Sequence, residues 1–329
     1  MKKALQYFIS LTIAGLLLWF VFKDVDLNAL FAKFSEADYR WVALSAGLVL
    51  IAHWSRAYRW KLMLQPIGYD PTVYRTLLAV LIGYAVNLVL PRAGELARCG
   101  SLQKLAGVPF EKSLGAVVAE RLIDVLILIL LIGLNLLLEF DRISGFFFEL
   151  IGDKLDNTAL LGGIALVGIL LIATAVIIYR KYKSKIEQLA FYQKVSSIVS
   201  GLWSGFTSIR NLKNPTAFIG HTLLIWVMYY CMTYALCFAL PETSGLSPLA
   251  GLTILVMGTI GMAAPTIGGI GSYHFLVGKI VALYGISAQA GITLATFLHS
   301  MMGVLFVLVF GLAAFLLTFT VKTPQSSDL

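Results

Sequence analysis

Apolar residues along this chain gather into eight runs, at 4–22, 41–55, 76–90, 114–138, 159–179, 217–240, 248–264 and 288–320. A helix rises about 1.5 Å per residue, so roughly 20 apolar residues cross the ~30 Å hydrocarbon core of a bilayer. By that measure most of the runs predict transmembrane helices, and two fit poorly. The 76–90 run is short and stops at Pro91, while 248–264 stops at Pro265 and gives way to TIGGIG, too rich in glycine to continue a helix. Each is followed by a second, half-apolar stretch: PRAGELARCGSLQKLAG after the first and SYHFLVGKIVALYG after the second. That pattern predicts helical hairpins, at about 76–106 and 248–286, which enter the membrane, turn at a proline or glycine tip and leave by the same side. An ordinary surface helix after 76–90 stays open as an alternative, because that run is only marginally short.

Lysine and arginine positions choose between these readings, since short cytoplasmic loops carry the positive excess. Eight simple spans put 15 Lys/Arg inside and 9 outside, leaving aside Arg121 within a run; six spans plus two hairpins put 18 inside and 6 outside. The predicted fold is therefore an all-α polytopic membrane protein with about six full transmembrane helices and two re-entrant hairpins entering from opposite faces. Such an inverted arrangement is the pattern of a transport site near the midplane. Residues 1–322 form one integral domain with a short cytoplasmic tail at 323–329. Both termini face the cytoplasm, in the cell inner (cytoplasmic) membrane, and the stretch 139–156 forms an acidic outer loop.

Composition agrees: 59% of the 329 residues are hydrophobic and 13% charged. The first run follows Lys2 and Lys3 but is longer than a signal-peptide core and lacks a small-x-small cleavage site, so it reads as a retained helix. Between Arg180 and Lys213, apolar residues recur at a helical period from Ile186 to Ile209, with basic residues at the ends. This predicts an amphipathic cytoplasmic helix at about 183–211, either lying on anionic lipid or serving only as a positive-inside loop. The net charge of +8 is accounted for by topology and gives no reason to expect nucleic-acid binding. Three cysteines and four histidines show no metal-ligand spacing, so no metal, cofactor or catalytic group is expected.

Charge at membrane depth survives only where it is buried in protein or lines a wet cavity. Two stretches carry it. In NLVLPRAGELARCG, Arg92, Glu95 and Arg98 lie at i, i+3 and i+6 after Pro91, so Glu95 can neutralise either arginine. Within the run 114–138, Glu120, Arg121 and Asp124 must also face protein or water. Their spacing predicts Arg121 near Glu95, and Glu120 or Asp124 near Arg92 or Arg98. An ion-pair knot locking helix to hairpin and a direct substrate role predict the same neighbours. The second tip, AAPTIGGIGSYHF, offers Gly268, Gly269 and Gly271, whose side-chain-free amides let an anion approach. It lacks the GK[ST] ending of a nucleotide loop. His274 beyond it is either a proton carrier or a packed, hydrogen-bonded residue.

The order NLVLPRAGELAR, then AERLIDV, then AAPTIGGIG resembles the flippase-like membrane family that includes the transmembrane domain of lysylphosphatidylglycerol synthase. The resemblance runs over roughly 4–320. It implies a part in moving lipids across the bilayer, with Asn87, Arg92, Glu95, Arg98, Glu120, Arg121, Asp124, Gly268, Gly269 and Gly271 as substrate-binding positions, Gly94 beside them, and Pro91 and Pro265 at the hairpin tips. The lipid-aminoacylating relatives carry a large soluble domain after the membrane part, so lysyl transfer is not implied here. The leading expectation is a translocase for a phosphate-bearing lipid, an anionic phospholipid or a polyprenyl phosphate. The alternative is an integral membrane transferase acting on a lipid or polyprenyl-phosphate carrier, as the likeness to archaeal membrane glycosyltransferases allows, with Asp24 and Asp26 as a DxD metal pair. A scaffold for other membrane proteins is a third class.

Overall fold

The computed structural model describes residues 32–90, 92–155, 207–264 and 266–321, together with Ser200 and Trp203. The apolar runs 4–22 and 159–179, Asp24, Asp26, Pro91, Pro265, most of the amphipathic stretch 183–211 and the tail 323–329 lie outside the described residues. Among the described residues all regular structure is helical: α1 (Tyr39–Leu64), α2 (Val73–Val89), α3 (Gly94–Ala106), α4 (Phe110–Leu155), α5 (Pro215–Cys237), α6 (Pro248–Ala263), α7 (Ser272–Ala282), α8 (Ala288–Leu298) and α9 (Phe306–Thr318). A π-helical segment, His299–Leu305, carries α8 into α9.

Local chemistry sets the starts. Asp38, Thr72, Asn214, Ser247 and Ser287 each accept a backbone N–H of the turn they cap, and Pro215 and Pro248 stand where a missing N–H costs nothing. Among the described residues, three stretches are long and apolar enough to cross a membrane: Phe110–Phe146, Pro215–Cys237 and Ala288–Thr318. α4 turns most of its apolar surface outward, with Leu137 82% and Leu130 66% exposed. Such a face is stable only against lipid or another apolar surface.

α2 and α3 pack on each other as a hairpin, and so do α6 and α7. The 13 residues of α3 and the 11 of α7 span about 20 and 17 Å, well short of the hydrocarbon core. Glycine makes the first hairpin tight: a Cβ on Gly94 would lie 2.3 Å from the Gly83 carbonyl and 2.5 Å from the Asn87 side chain. Asn87 Oδ1 accepts the Gly94 N–H at 2.7 Å, pinning α2 to the start of α3.

The packing is reciprocal. α1 leads into the first hairpin and α5 into the second, and these two helices pack most extensively on each other. The first arm of each hairpin then packs on the long helix of the other unit, α2 on α9 and α6 on α4. Asn135 of α4 donates to Thr253 of α6 at 2.8 Å within that second contact.

Two elements differ from the sequence expectation. α1 runs on to Leu64, so Arg56 and Arg59 lie inside a helix and not in a cytoplasmic loop. The stretch from Glu139 to Leu155 is helical too, continuing α4 past a break in the helical backbone at Glu139 (φ −128°). Its acids did not stop the helix because residues such as Ile143 remain on a buried face, where the second unit packs.

Candidate functional site

Where α1, α3 and α4 meet, four arginines surround three carboxylates. Glu120, fully buried, sits at the centre: its oxygens lie 3.1 Å from Arg59 Nη2, 3.1 Å from Arg98 Nη2, 3.0 Å from Arg121 Nη2 and 3.6 Å from Arg56 Nε. Asp124, one turn on, takes Arg59 at 2.8 Å and Arg56 at 3.1 Å, with Arg121 at 3.5 Å. Glu95 bridges Arg98 Nε at 2.6 Å and Arg121 Nε at 3.1 Å. The spacing of Glu120 and Asp124 at i, i+4 on α4 presents both to the same face, and Arg56 and Arg59 at i, i+3 on α1 answer them.

Aromatic and polar neighbours hold the arginines in place. Arg56 donates to the Tyr84 hydroxyl, Arg59 contacts Thr222 at 3.4 Å, and the Arg98 guanidinium lies 4.7 Å from the centre of the Trp60 ring. The carboxylates do not exhaust the donors. Arg56, Arg59, Arg98 and Arg121 each keep a buried Nε–H without an aligned acceptor, the Glu95 contacts being close but off-axis. Four guanidinium groups against three carboxylates also leave one positive charge over. A buried cluster with surplus charge and surplus donors is suited to an anion with several oxygens, which guanidinium matches in pairs.

Beside the cluster a small cleft, lined by Arg56, Gly83, Tyr84, Asn87, Glu95 and Arg98, has room for about one water molecule. The site is therefore closed in this conformation.

The structure brings together five of the charged residues expected from sequence: Glu95, Arg98, Glu120, Arg121 and Asp124. The expected pairings of Arg121 with Glu95 and of Glu120 with Arg98 are both present. Asn87 lines the same cleft, with its oxygen engaged by Gly94. Arg92 stands apart at the hairpin tip, exposed and in the left-handed region (φ 67°), with no ion pair among the described residues. Pro91 and Pro265 lie outside the described residues.

Gly268, Gly269 and Gly271 all have positive φ (59°, 74° and 83°) and shape the second tip. There the Gly268 carbonyl meets His299 Nε2 at 2.9 Å, the Ser272 hydroxyl lies 2.7 Å from the Gly261 carbonyl and 2.8 Å from Thr266 Oγ1, and the rings of His274 and His299 lie 4.9 Å apart. The tip is thus tied to α6 and the π-helical segment, while the arginines are tied to α4. Arg56 and Arg59 are functional candidates that the sequence reading missed; the demand of two carboxylates inside an apolar run for buried cations was the available signal.

Comparison with known families matches residues 7–311 to the model described as the lysylphosphatidylglycerol synthase TM region. Comparison with curated proteins and with solved structures gives no match. With 7–311 covering most of the chain, and five charged residues of the resemblance gathered in one cluster, the protein belongs to the lysylphosphatidylglycerol synthase TM region family, membrane proteins linked to lipid handling.

Proposed function

We propose that this protein is a lipid translocase, carrying a phosphate-bearing head group past the arginine cluster while the acyl or prenyl tails stay in lipid. The observation that carries this reading is the buried surplus of guanidinium donors beside the tip of a hairpin whose second arm, 13 residues long, is too short to span the bilayer. A phosphate entering low-dielectric space needs compensating charge at depth, and Arg98 and Arg121 supply it. The reciprocal packing of the two units supports an inverted repeat, in which the hairpins enter from opposite faces, and the cleft opens where α1 parts from the first hairpin. The second glycine-rich tip would then receive the head group from the other side, through backbone amides.

The direct test is reconstitution of the purified chain into liposomes, following labelled lipids across the bilayer with and without a pH gradient. Phosphatidylglycerol crossing faster than a lipid whose head group lacks phosphate is the expected result; equal, protein-independent rates end the translocase reading.

The topology has its own test. Gly68 and Gly107 flank the first hairpin but have positive φ (92° and 69°), so reporter cysteines belong at exposed Asp70 and Lys104 nearby. Asp70→Cys and Lys104→Cys are both expected to label from the cytoplasmic side alone. Labelling from opposite sides would make 73–89 a full span and remove the inverted repeat. Arg92→Cys at the tip would react from the far side only if the first arm crossed the bilayer completely.

A further inference from the structure

We propose that Glu95 is a built-in stand-in for the substrate's anion, holding the site shut until a phosphate displaces it; this rests on the translocase reading above. The three carboxylates of the cluster are not equivalent. Glu120 is fully buried and touches all four arginines, and Asp124 is 12% exposed and held by three. Glu95 is 34% exposed, lines the cleft, and contacts only Arg98 and Arg121. Of these two, Arg98 lines the cleft, and Arg121 is the most exposed of the four arginines, at 38%.

Glu95 binds its partners imperfectly. Both of its contacts go to Nε atoms that have no aligned hydrogen bond, so the carboxylate neutralises Arg98 and Arg121 without satisfying their donors. A tetrahedral phosphate offers oxygens in more directions than a planar carboxylate, and it can align on two guanidinium groups at once. Glu95 can also leave at low cost. It stands in the first turn of α3, where the helix N-terminus stabilises a free carboxylate, and a side-chain rotation carries it toward solvent. With Glu95 displaced, two positive charges remain over, enough for a phosphodiester with charge to spare. Release then follows from Glu95 returning to its arginines, so the same residue that opposes binding drives the head group out.

This arrangement makes a prediction that a merely structural acid would not. Glu95→Gln removes the competitor, so binding tightens while transport slows because release is no longer driven. The measurement uses nanodiscs of digalactosyldiacylglycerol, whose head group carries no phosphate, with a trace of spin-labelled phosphatidylglycerol or spin-labelled diacylglycerol, reading the motionally restricted fraction, alongside transport in liposomes. Glu95→Gln is expected to hold phosphatidylglycerol about tenfold more tightly than the unaltered chain, the scale of one charged hydrogen-bond partnership, and Glu95→Asp to stay close to the unaltered chain.

If the unaltered chain restricts phosphatidylglycerol over the phosphate-free diacylglycerol but Glu95→Gln restricts it no more, or less, the stand-in role is wrong and the translocase reading survives. If neither form distinguishes the two lipids, the translocase reading itself fails. Inorganic phosphate at low concentration fully displacing the lipid from both forms would assign the site to free phosphate and overturn the proposal.

Discussion

Glu120→Gln is expected to destabilise the protein by about 3–5 kcal/mol, the usual cost of leaving buried charges without their partner. The reason lies in the balance of the cluster. Glu120 is the one carboxylate shared by Arg56, Arg59, Arg98 and Arg121, and none of its surface reaches solvent. Neutralising it leaves four guanidinium groups facing Asp124 and the partly exposed Glu95. Arg59→Met works in the opposite direction: it removes a fully buried arginine, fills the space with an unbranched apolar chain, and brings the cluster to charge balance. It is expected to cost clearly less than Glu120→Gln, and the double variant to recover part of the larger loss. Thermal unfolding of the three purified variants in detergent measures this. Additive losses in that cycle would show that the two residues do not interact.

The same cluster shows what could be read from the chain and what could not. The short arms, the proline-terminated runs and the order of the polar motifs lie in local sequence, so the pairing of α2 with α3 and of α6 with α7 was legible, and so was the company of Glu95, Arg98, Glu120, Arg121 and Asp124. Arg56 and Arg59 were hidden by the method of reading. An apolar run appears to end at the first arginine, whereas a helix continues as long as its partners neutralise what it carries, and α1 carries two arginines and ends at Leu64. The three acids also looked balanced by Arg92, Arg98 and Arg121, which hid the demand of Glu120 and Asp124 for further buried cations. Arg92 instead turned away, because the tight turn that brings Gly94 against Gly83 puts residue 92 in a left-handed conformation with its side chain exposed. Register across four helices decides such matters, and no single stretch of sequence contains it. The apolar periodicity had the same limit at the acid-bearing end of α4, where tertiary burial of Ile143 keeps a helix that charge count alone would have ended.

Arg98→Ala is expected to lower lipid movement by about tenfold to a hundredfold, the worth of one or two charged hydrogen bonds to the head group, while an Asp24→Asn, Asp26→Asn double change leaves it unaltered. The two sites test different chemistry. Arg98 is buried, lines the cleft, and is one of the two arginines that the partly exposed Glu95 contacts. An acid pair at residues 24 and 26 lies at the end of the first apolar run in the sequence, where it can hold a divalent cation for transfer chemistry but offers nothing to a phosphate crossing the midplane. A transferase would reverse the order: loss of the acid pair would stop turnover, and activity would require added divalent metal. Arg98→Ala needs a control for folding, since it also releases Glu120 from one partner. Arg98→Lys supplies it, keeping the charge while removing the planar fork; a translocase that needs paired guanidinium donors stays slow with lysine, and a site that needs only the charge recovers. Full transport in Arg98→Ala would remove Arg98 from the lipid's path, whereas a dead Asp24/Asp26 variant whose loss chelators reproduce in the unaltered chain would end the translocase reading in favour of the enzyme.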